Sequence, residues 1–190
     1  GREGQRLRRP GRRGRHPRRH GHRERDHAGE YLEVTNIGRS PIDLRSWVVS
    51  VGGEHAPVAL PVRVAPGDVA VLCRVAAAHC DYVYGTALTL DNAGGAITLA
   101  LAGLDIDRVD LAGDFPSGRA LNLDPAQFTA VGNDVLGNWC ATPDGNALSE
   151  GGLGTPGRLN PSCSGAPAVV SVSPSGGIEH GGDRLRIQGS

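Results

Sequence analysis

Four cysteines, Cys73, Cys80, Cys140 and Cys163, carry the plainest covalent chemistry in this chain. None stands in a Cys-x-x-Cys pair, so zinc and thioredoxin-type readings are poorly supported. Cys73 ends the apolar run Val69-Ala70-Val71-Leu72, and Cys80 precedes Asp81-Tyr82-Val83-Tyr84. A six-residue loop between two strands can bring such ends within the ~4.4–6.8 Å Cα separation that a disulfide needs. Cys140 and Cys163 bracket a Gly/Pro-rich segment with little core of its own. The pairings expected are 73–80 and 140–163, which imply an oxidising compartment; the alternative is four buried free thiols.

The other reactive side chains read more blandly. Glu30 and Glu33 fall on opposite faces of a strand and cannot flank one substrate as acid and base. Asp105 and Asp107 are expected to share a face, with Asp110 nearby, but Arg108 intervenes and EF-hand spacing is absent, so calcium is disfavoured. Asp144-Gly145-Asn146 makes a better turn than a ligand set. His55 and His79 are placed in separate loops without a Ser or Cys partner in nucleophile spacing. Ser171 and Ser173 lie outside any Gly-x-Ser-x-Gly elbow, and no glycine-rich loop precedes a helix. Trp47 and Trp139 are read as core rather than as exposed ligand anchors. Catalysis is unsupported, and no cofactor or metal is expected.

Composition sets the frame that must position these residues. Gly and Pro contribute 29 and 13 of 190 residues and aromatics only 4%, which suits short strands joined by turns. No run approaches the ~18 apolar residues of a membrane span. The net charge of zero hides an asymmetry. Residues 1–27 hold eleven Arg against Glu3, Glu24 and Asp26, a balance of +8; the remainder holds nine Arg against seventeen acids, a balance of −8. There is no lysine.

The basic segment has Leu7 as its only strong apolar residue, and it lacks aromatic stacking partners, so nucleic-acid binding is the minor reading. His16, His20 and His22 within it offer no preformed metal geometry. Its Arg/Gly/His/Pro mixture is what GC-rich DNA gives in a wrong frame, so residues 1–27 read as a frameshift product or a disordered tail. Lacking an initiating Met and any signal-peptide pattern, the chain reads as a fragment.

From residue 28 onward, strand patterns recur. Leu32 and Val34 alternate with Tyr31, Glu33 and Thr35, and a turn cluster spans Asn36 to Pro41. Further strands are expected over 44–51, irregularly over 56–64, then over 69–73 and 82–90. Residues 97–101 and 105–111 form an expected hairpin around Ala102-Gly103-Leu104, and 117–124 a closing strand. The expected core is Leu32, Val34, Leu44, Trp47, Val49, Val69, Val71, Ile97, Leu99, Leu101, Ile106, Val109 and Leu121.

Gly29-Glu30-Tyr31-Leu32-Glu33-Val34-Thr35-Asn36 leads into Asp43-Leu44-Arg45-Ser46-Trp47 and later Pro66-Gly67 before Val71-Leu72. Asn138-Trp139 and Gly154-Thr155-Pro156-Gly157-Arg158-Leu159-Asn160 follow in order. Together these stretches resemble the lamin tail domain of secreted bacterial proteins, across residues 29–163. After Cys163, Pro167 to Gly177 and Gly181 to Gly189 resemble the first hairpin of an IPT/TIG domain, cut short.

The resemblance implies an all-β, immunoglobulin-like β-sandwich of lamin tail type over 28–163, with a truncated Ig-like module over 164–190. In that family an Ile/Val-rich strand precedes the Gly-Glu-aromatic motif. Its absence here implies an unpaired sheet edge beside Tyr31–Thr35. The function implied is a non-catalytic module of a larger extracellular or cell-surface protein, positioning neighbouring domains and binding protein or glycan through loops. The runner-up is an accessory domain of an extracellular hydrolase, of nuclease or phosphatase type, whose catalytic part lies elsewhere.

Overall fold

Strand β1 (Tyr31–Thr35) runs antiparallel to β6 (Val69–Cys73), and β7 (Tyr82–Val83) adds in parallel on the far side of β6. A second sheet has β3 (Trp47–Val51) between β4 (Glu54–Pro57) and β8 (Gly94–Leu101), with β9 (Leu104–Ala112) at its edge. Three two-stranded pairs complete the set among the described residues. They are β2 (Ile42–Asp43) with β5 (Arg63–Val64), β10 (Leu121–Leu123) with β11 (Trp139–Ala141), and β12 (Val169–Ser173) with β13 (Arg186–Gly189). This computed structural model describes residues 29–113, 115–149, 151–163, 169–173 and 186–189. The readings of residues 1–27 as tail or frameshift, and of most of 164–190 as an Ig-like opening, lie outside them.

The architecture is all-β, consistent with a β-sandwich. Alternation decides which side chains face inward. Val49 and Val51 of β3 meet Ala70 and Leu72 of β6 in one buried cluster with Leu44, Val58, Val64 and Leu88. Leu32, Val34, Trp47, Ile97 and Leu99 pack against it while keeping part of their surface in solvent. Val71, on the other face of β6, is also buried, 3.6 Å from where a Cβ on Gly157 would stand.

Several strands are shorter than their apolar runs. The run 44–51 becomes strand only at Trp47, because Ser46 takes φ 70° and turns the chain. Leu44 is nonetheless fully buried, held from the turn before it. Only Tyr82–Val83 of 82–90, and Leu121–Leu123 of 117–124, are strand. The latter pairs with β11 in a separate sheet rather than extending either main one.

The hairpin of β8 and β9 turns on Ala102 and Gly103, both at positive φ (51° and 79°), as a two-residue turn matching strand twist requires. Its ladder shifts between Leu99 and Ala100, which pair with Asp107 and Asp105 and leave Ile106 as the extra residue of a bulge. Two expectations fail there. Ile106 is 51% exposed instead of core, and Asp105 and Asp107 fall on opposite faces because their partners are adjacent residues.

Candidate functional site

The polar residues of the first strand are spent on holding backbone. Glu30 accepts from Arg74 Nη1 at 3.1 Å and from the Leu90 N–H, and Arg74 also donates to the Leu88 carbonyl at 2.8 Å. Asn36 is buried; its Nδ2 donates to the Ser40 and Val64 carbonyls while its Oδ1 accepts the Gly38 N–H. Glu33 Oε1 accepts the Gly157 N–H at 2.7 Å. Burial raises the Glu33 carboxyl above its ordinary range, an effect that this hydrogen bond partly offsets. Burial, reinforced by the nearby Glu33 charge, raises the Tyr31 phenol against a hydrogen bond from the Thr155 backbone.

Stretches far apart in sequence therefore meet on the outer face of β1. A Cβ at Gly154 would lie 2.5 Å from the Tyr31 hydroxyl, so glycine is needed for that approach. Beyond it, Thr155 Oγ1 donates to Asn160 Oδ1, and Asn160 Nδ2 donates to the Leu123 carbonyl.

Other carboxylates do similar duty. Asp43 accepts the Arg45 and Val62 N–H groups, which hold its pKa below the ordinary value. Asp124 is lowered by the Ala126 and Cys163 N–H groups, Cys163 being the residue that Cys140 anchors. The disulfides join Cys73 to Cys80, with Cα atoms 5.8 Å apart, and Cys140 to Cys163, at 5.4 Å.

Asp105, Asp107 and Asp110 are not brought together. Asp107 accepts from Asn133 Nδ2 at 2.7 Å, while Asp110 pairs with Arg108. Asp144 pairs with Arg119, and Asn146 Nδ2 closes its own turn on the Pro143 carbonyl. Trp47 packs on the core, and Trp139 is half-buried with its indole donating to the Asn133 carbonyl. Ser171 and Ser173 lie on β12, and His16, His20 and His22 lie outside the described residues.

Two small constellations escape sequence spacing. His55 lies on β4, not in a loop, and pairing in the hairpin puts its Nδ1 2.7 Å from Ser50 Oγ. His79, whose ring meets Tyr31 edge-on, gathers with Cys73 and Cys80 so that their ligand atoms lie within 4.8 Å. Both sulfurs there are already joined to each other, so neither is a thiolate.

A groove of about 1630 Å³ lies beside these elements. The inner face of β1 and the half-exposed faces of β8 and β9 line it, together with Leu121, Leu123 and Trp139 from the β10–β11 pair. Among the described residues, no helix is long and apolar enough to cross a membrane. The fold and groove define an all-β chain clipped by two disulfides, a bond type that persists in oxidising environments. Compared with known protein families, curated proteins and solved structures, the chain matches none.

Proposed function

We propose that this chain is a non-catalytic binding and positioning module, a lamin-tail-like β-sandwich within a larger secreted or cell-surface protein. The observation that carries this reading is the use made of its polar side chains. Glu30, Glu33, Asn36, Asp43 and Asp124 each bind backbone groups across turns or between distant segments. Carboxylates spent in this way build a scaffold that presents a surface. Two disulfides support an extracellular setting. The meeting of Tyr31 and Glu33 with Thr155 and Gly157 supports the family resemblance, since its first and last stretches then serve one contact.

Ser50 with His55 is the arrangement that a hydrolytic reading would use. The test is therefore double. The oxidised chain is titrated against immobilised polypeptides and oligosaccharides, and assayed for ester and phosphodiester hydrolysis beside Ser50→Ala. Saturable binding without turnover is the expected result. Turnover that disappears in Ser50→Ala overturns the reading.

A further inference from the structure

The Cys73–Cys80 pair has a third metal-ligating side chain beside it. The His79 imidazole and the two sulfurs place their ligand atoms within 4.8 Å of one another, and no other group of three His, Cys, Asp or Glu side chains converges in this way among the described residues. His79 adjoins Cys80 in sequence, but Cys73 comes from the end of β6, so the fold completes the trio. The Tyr31 ring meets the imidazole edge-on, with centroids 6.1 Å apart, and steadies it. A cavity of about 10 Å³ opens at the same spot, with Cys73, His79 and Glu30 in its wall; that is room for about one water. Glu30 is committed to Arg74 and to the Leu90 N–H, so the cavity is a place for solvent beside two sulfurs and a nitrogen.

The backbone that carries these ligands is held without help from the sulfur–sulfur bond. Arg74 N donates to Glu30 O at 2.9 Å and Tyr84 N to Cys73 O at 2.8 Å, which fixes the chain around Cys73. Cys80 N donates to Ala77 O, Asp81 N donates to Val71 O, and Asp81 Oδ2 accepts the Val71 N–H, so the far end of the loop is tied back to β6. Opening the disulfide therefore leaves two thiols and an imidazole gathered. A tetrahedral zinc ion, with sulfur at ~2.3 Å and nitrogen at ~2.0–2.1 Å, holds its ligand atoms ~3.3–3.8 Å apart. From separations within 4.8 Å, side-chain rotation reaches that arrangement.

We infer that Cys73, His79 and Cys80 form a redox-gated zinc site, closed as a disulfide and opened to the metal by a dithiol reductant. The inference goes beyond the module reading and does not rest on it. Cys80 is partly exposed and Cys73 is buried, so a reductant thiolate attacks Cys80 Sγ, forms a mixed disulfide with it and expels the Cys73 thiolate. The reductant's second thiolate then attacks its own sulfur in that mixed disulfide and expels the Cys80 thiolate. Two electrons have passed to the protein, and the reductant is left as a disulfide. Zinc takes both sulfurs as thiolates with the His79 nitrogen, and water completes the tetrahedron. Reoxidation joins the sulfurs and releases the ion. No such trio forms around Cys140 and Cys163 among the described residues, so the gating belongs to one pair.

The test uses the full chain, either oxidised or reduced with a phosphine that adds no competing thiol, and cobalt(II) as the spectroscopic stand-in for zinc. The reduced chain should bind one cobalt, with a thiolate-to-metal charge-transfer band and tetrahedral d–d bands that zinc abolishes. The oxidised chain should show neither band. Zinc at about a hundred times its Kd should raise the melting temperature of the reduced chain by about 5–10 °C. His79→Ala should weaken binding by about a hundredfold or more, since loss of even an outer hydrogen-bond partner costs about 10–100-fold. Melting of oxidised His79→Ala beside the parent checks that the loop still folds. Cys140→Ser with Cys163→Ser should keep both bands, whereas Cys73→Ser with Cys80→Ser should lose the charge-transfer band.

Equal affinity of reduced His79→Ala and the reduced parent overturns the inference, because the thiols alone would then hold the metal. So do tetrahedral bands of equal strength in the oxidised chain. Binding that disappears when residues 1–27 are deleted would put the metal on His16, His20 and His22 and also overturn it. A reduced chain that loses its far-ultraviolet dichroism and takes up no metal would show that the loop needs its covalent bond to exist, which equally ends the proposal. None of these outcomes touches the module reading, which the hydrolysis assay with Ser50→Ala tests separately.

Discussion

One side of this molecule is closed and the other is open, although both are written in the same alternating code. Around β2 to β6, Leu44 and Leu88 are 0% exposed and Val58 and Val64 2%, each covered from every direction. Along β8 and β9, Ile97, Leu99, Val109 and Leu111 point inward with equal regularity yet stay partly in solvent and line the groove. Alternation fixes which face of a strand is apolar; whether that face is covered depends on a neighbour that the strand itself does not encode. The closed side holds its stability in packing, whereas the open side leans more on its covalent clip.

The comparison is sharpest in large-to-small substitutions. Leu44→Ala is expected to cost about 3–5 kcal/mol, because a fully buried side chain leaves a cavity that its surroundings cannot fill. Leu111→Ala, only partly buried at the groove, should cost less, about 1–2 kcal/mol. Urea unfolding of both variants in the oxidised protein measures this. Equal losses would mean that the open side is packed after all, and the contrast would collapse.

The disulfides come next. Cys140–Cys163 spans 23 residues and holds the segment ending at Cys163 against β10, in a region with few buried apolar groups. Cys73–Cys80 spans 7 and begins on a strand that is already buried. Chain entropy alone gives about 3 kcal/mol for the first and about 2 kcal/mol for the second. Paired Cys→Ser variants, compared by denaturant midpoint, should preserve that order. The reverse order would place the missing stability on the closed side.

Much of this was legible in the residues, and the exceptions have physical causes. The alternation of Leu32 and Val34, and the Ala102-Gly103 turn, announce their elements, since both signals are local. Ile106 misled because a bulge inserts one residue and reverses the alternation after it, which no period-two count detects. Strand run 82–90 shrank to Tyr82–Val83 because only those residues find a partner, in β6. His55 and Ser50 are five residues apart and meet only because a two-glycine turn sets the hairpin register. The unpaired edge beside Tyr31–Thr35 was implied by the family resemblance, and among the described residues its outward backbone groups have no backbone partner; the outward turn of Leu121 and Leu123 on β10 depends on a register that sequence does not state.

Asn36 tests the closed side without touching its apolar packing. Its side chain makes three hydrogen bonds to backbone groups, one of them to Val64 from 28 residues away, and it is buried. Asn36→Ala strands those groups and should cost about 2 kcal/mol. Asn36→Asp keeps the acceptor for Gly38 but sets a carboxylate against two carbonyls, so it should be no better. Near-neutral behaviour of either variant by thermal melting would show that water reaches this turn, and that the closed side is less closed than its burial indicates.

The smallest effect lies at the boundary between the two sides, where Glu33 of β1 accepts the Gly157 N–H. Burial raises this carboxyl above its ordinary value, so the fold favours its protonated form. A group raised on folding contributes its stability below the unfolded pKa and loses it as pH rises through the folded one. Asp43 and Asp124 act with the opposite sign, their contributions being lost as pH falls through their lowered folded values. Wild type and Glu33→Gln share those two aspartates, so their difference isolates Glu33. The amide keeps an acceptor for Gly157 and carries no charge to desolvate. Glu33→Gln should therefore melt about a degree or two higher than wild type at neutral pH, with the gap closing below the ordinary carboxylate range. A gap of constant size across pH would mean that Glu33 is well solvated in the folded chain. In that case the edge of β1 would be wetter than its surroundings suggest, and the contact between β1 and the Gly154–Gly157 stretch would be looser than its hydrogen bond indicates.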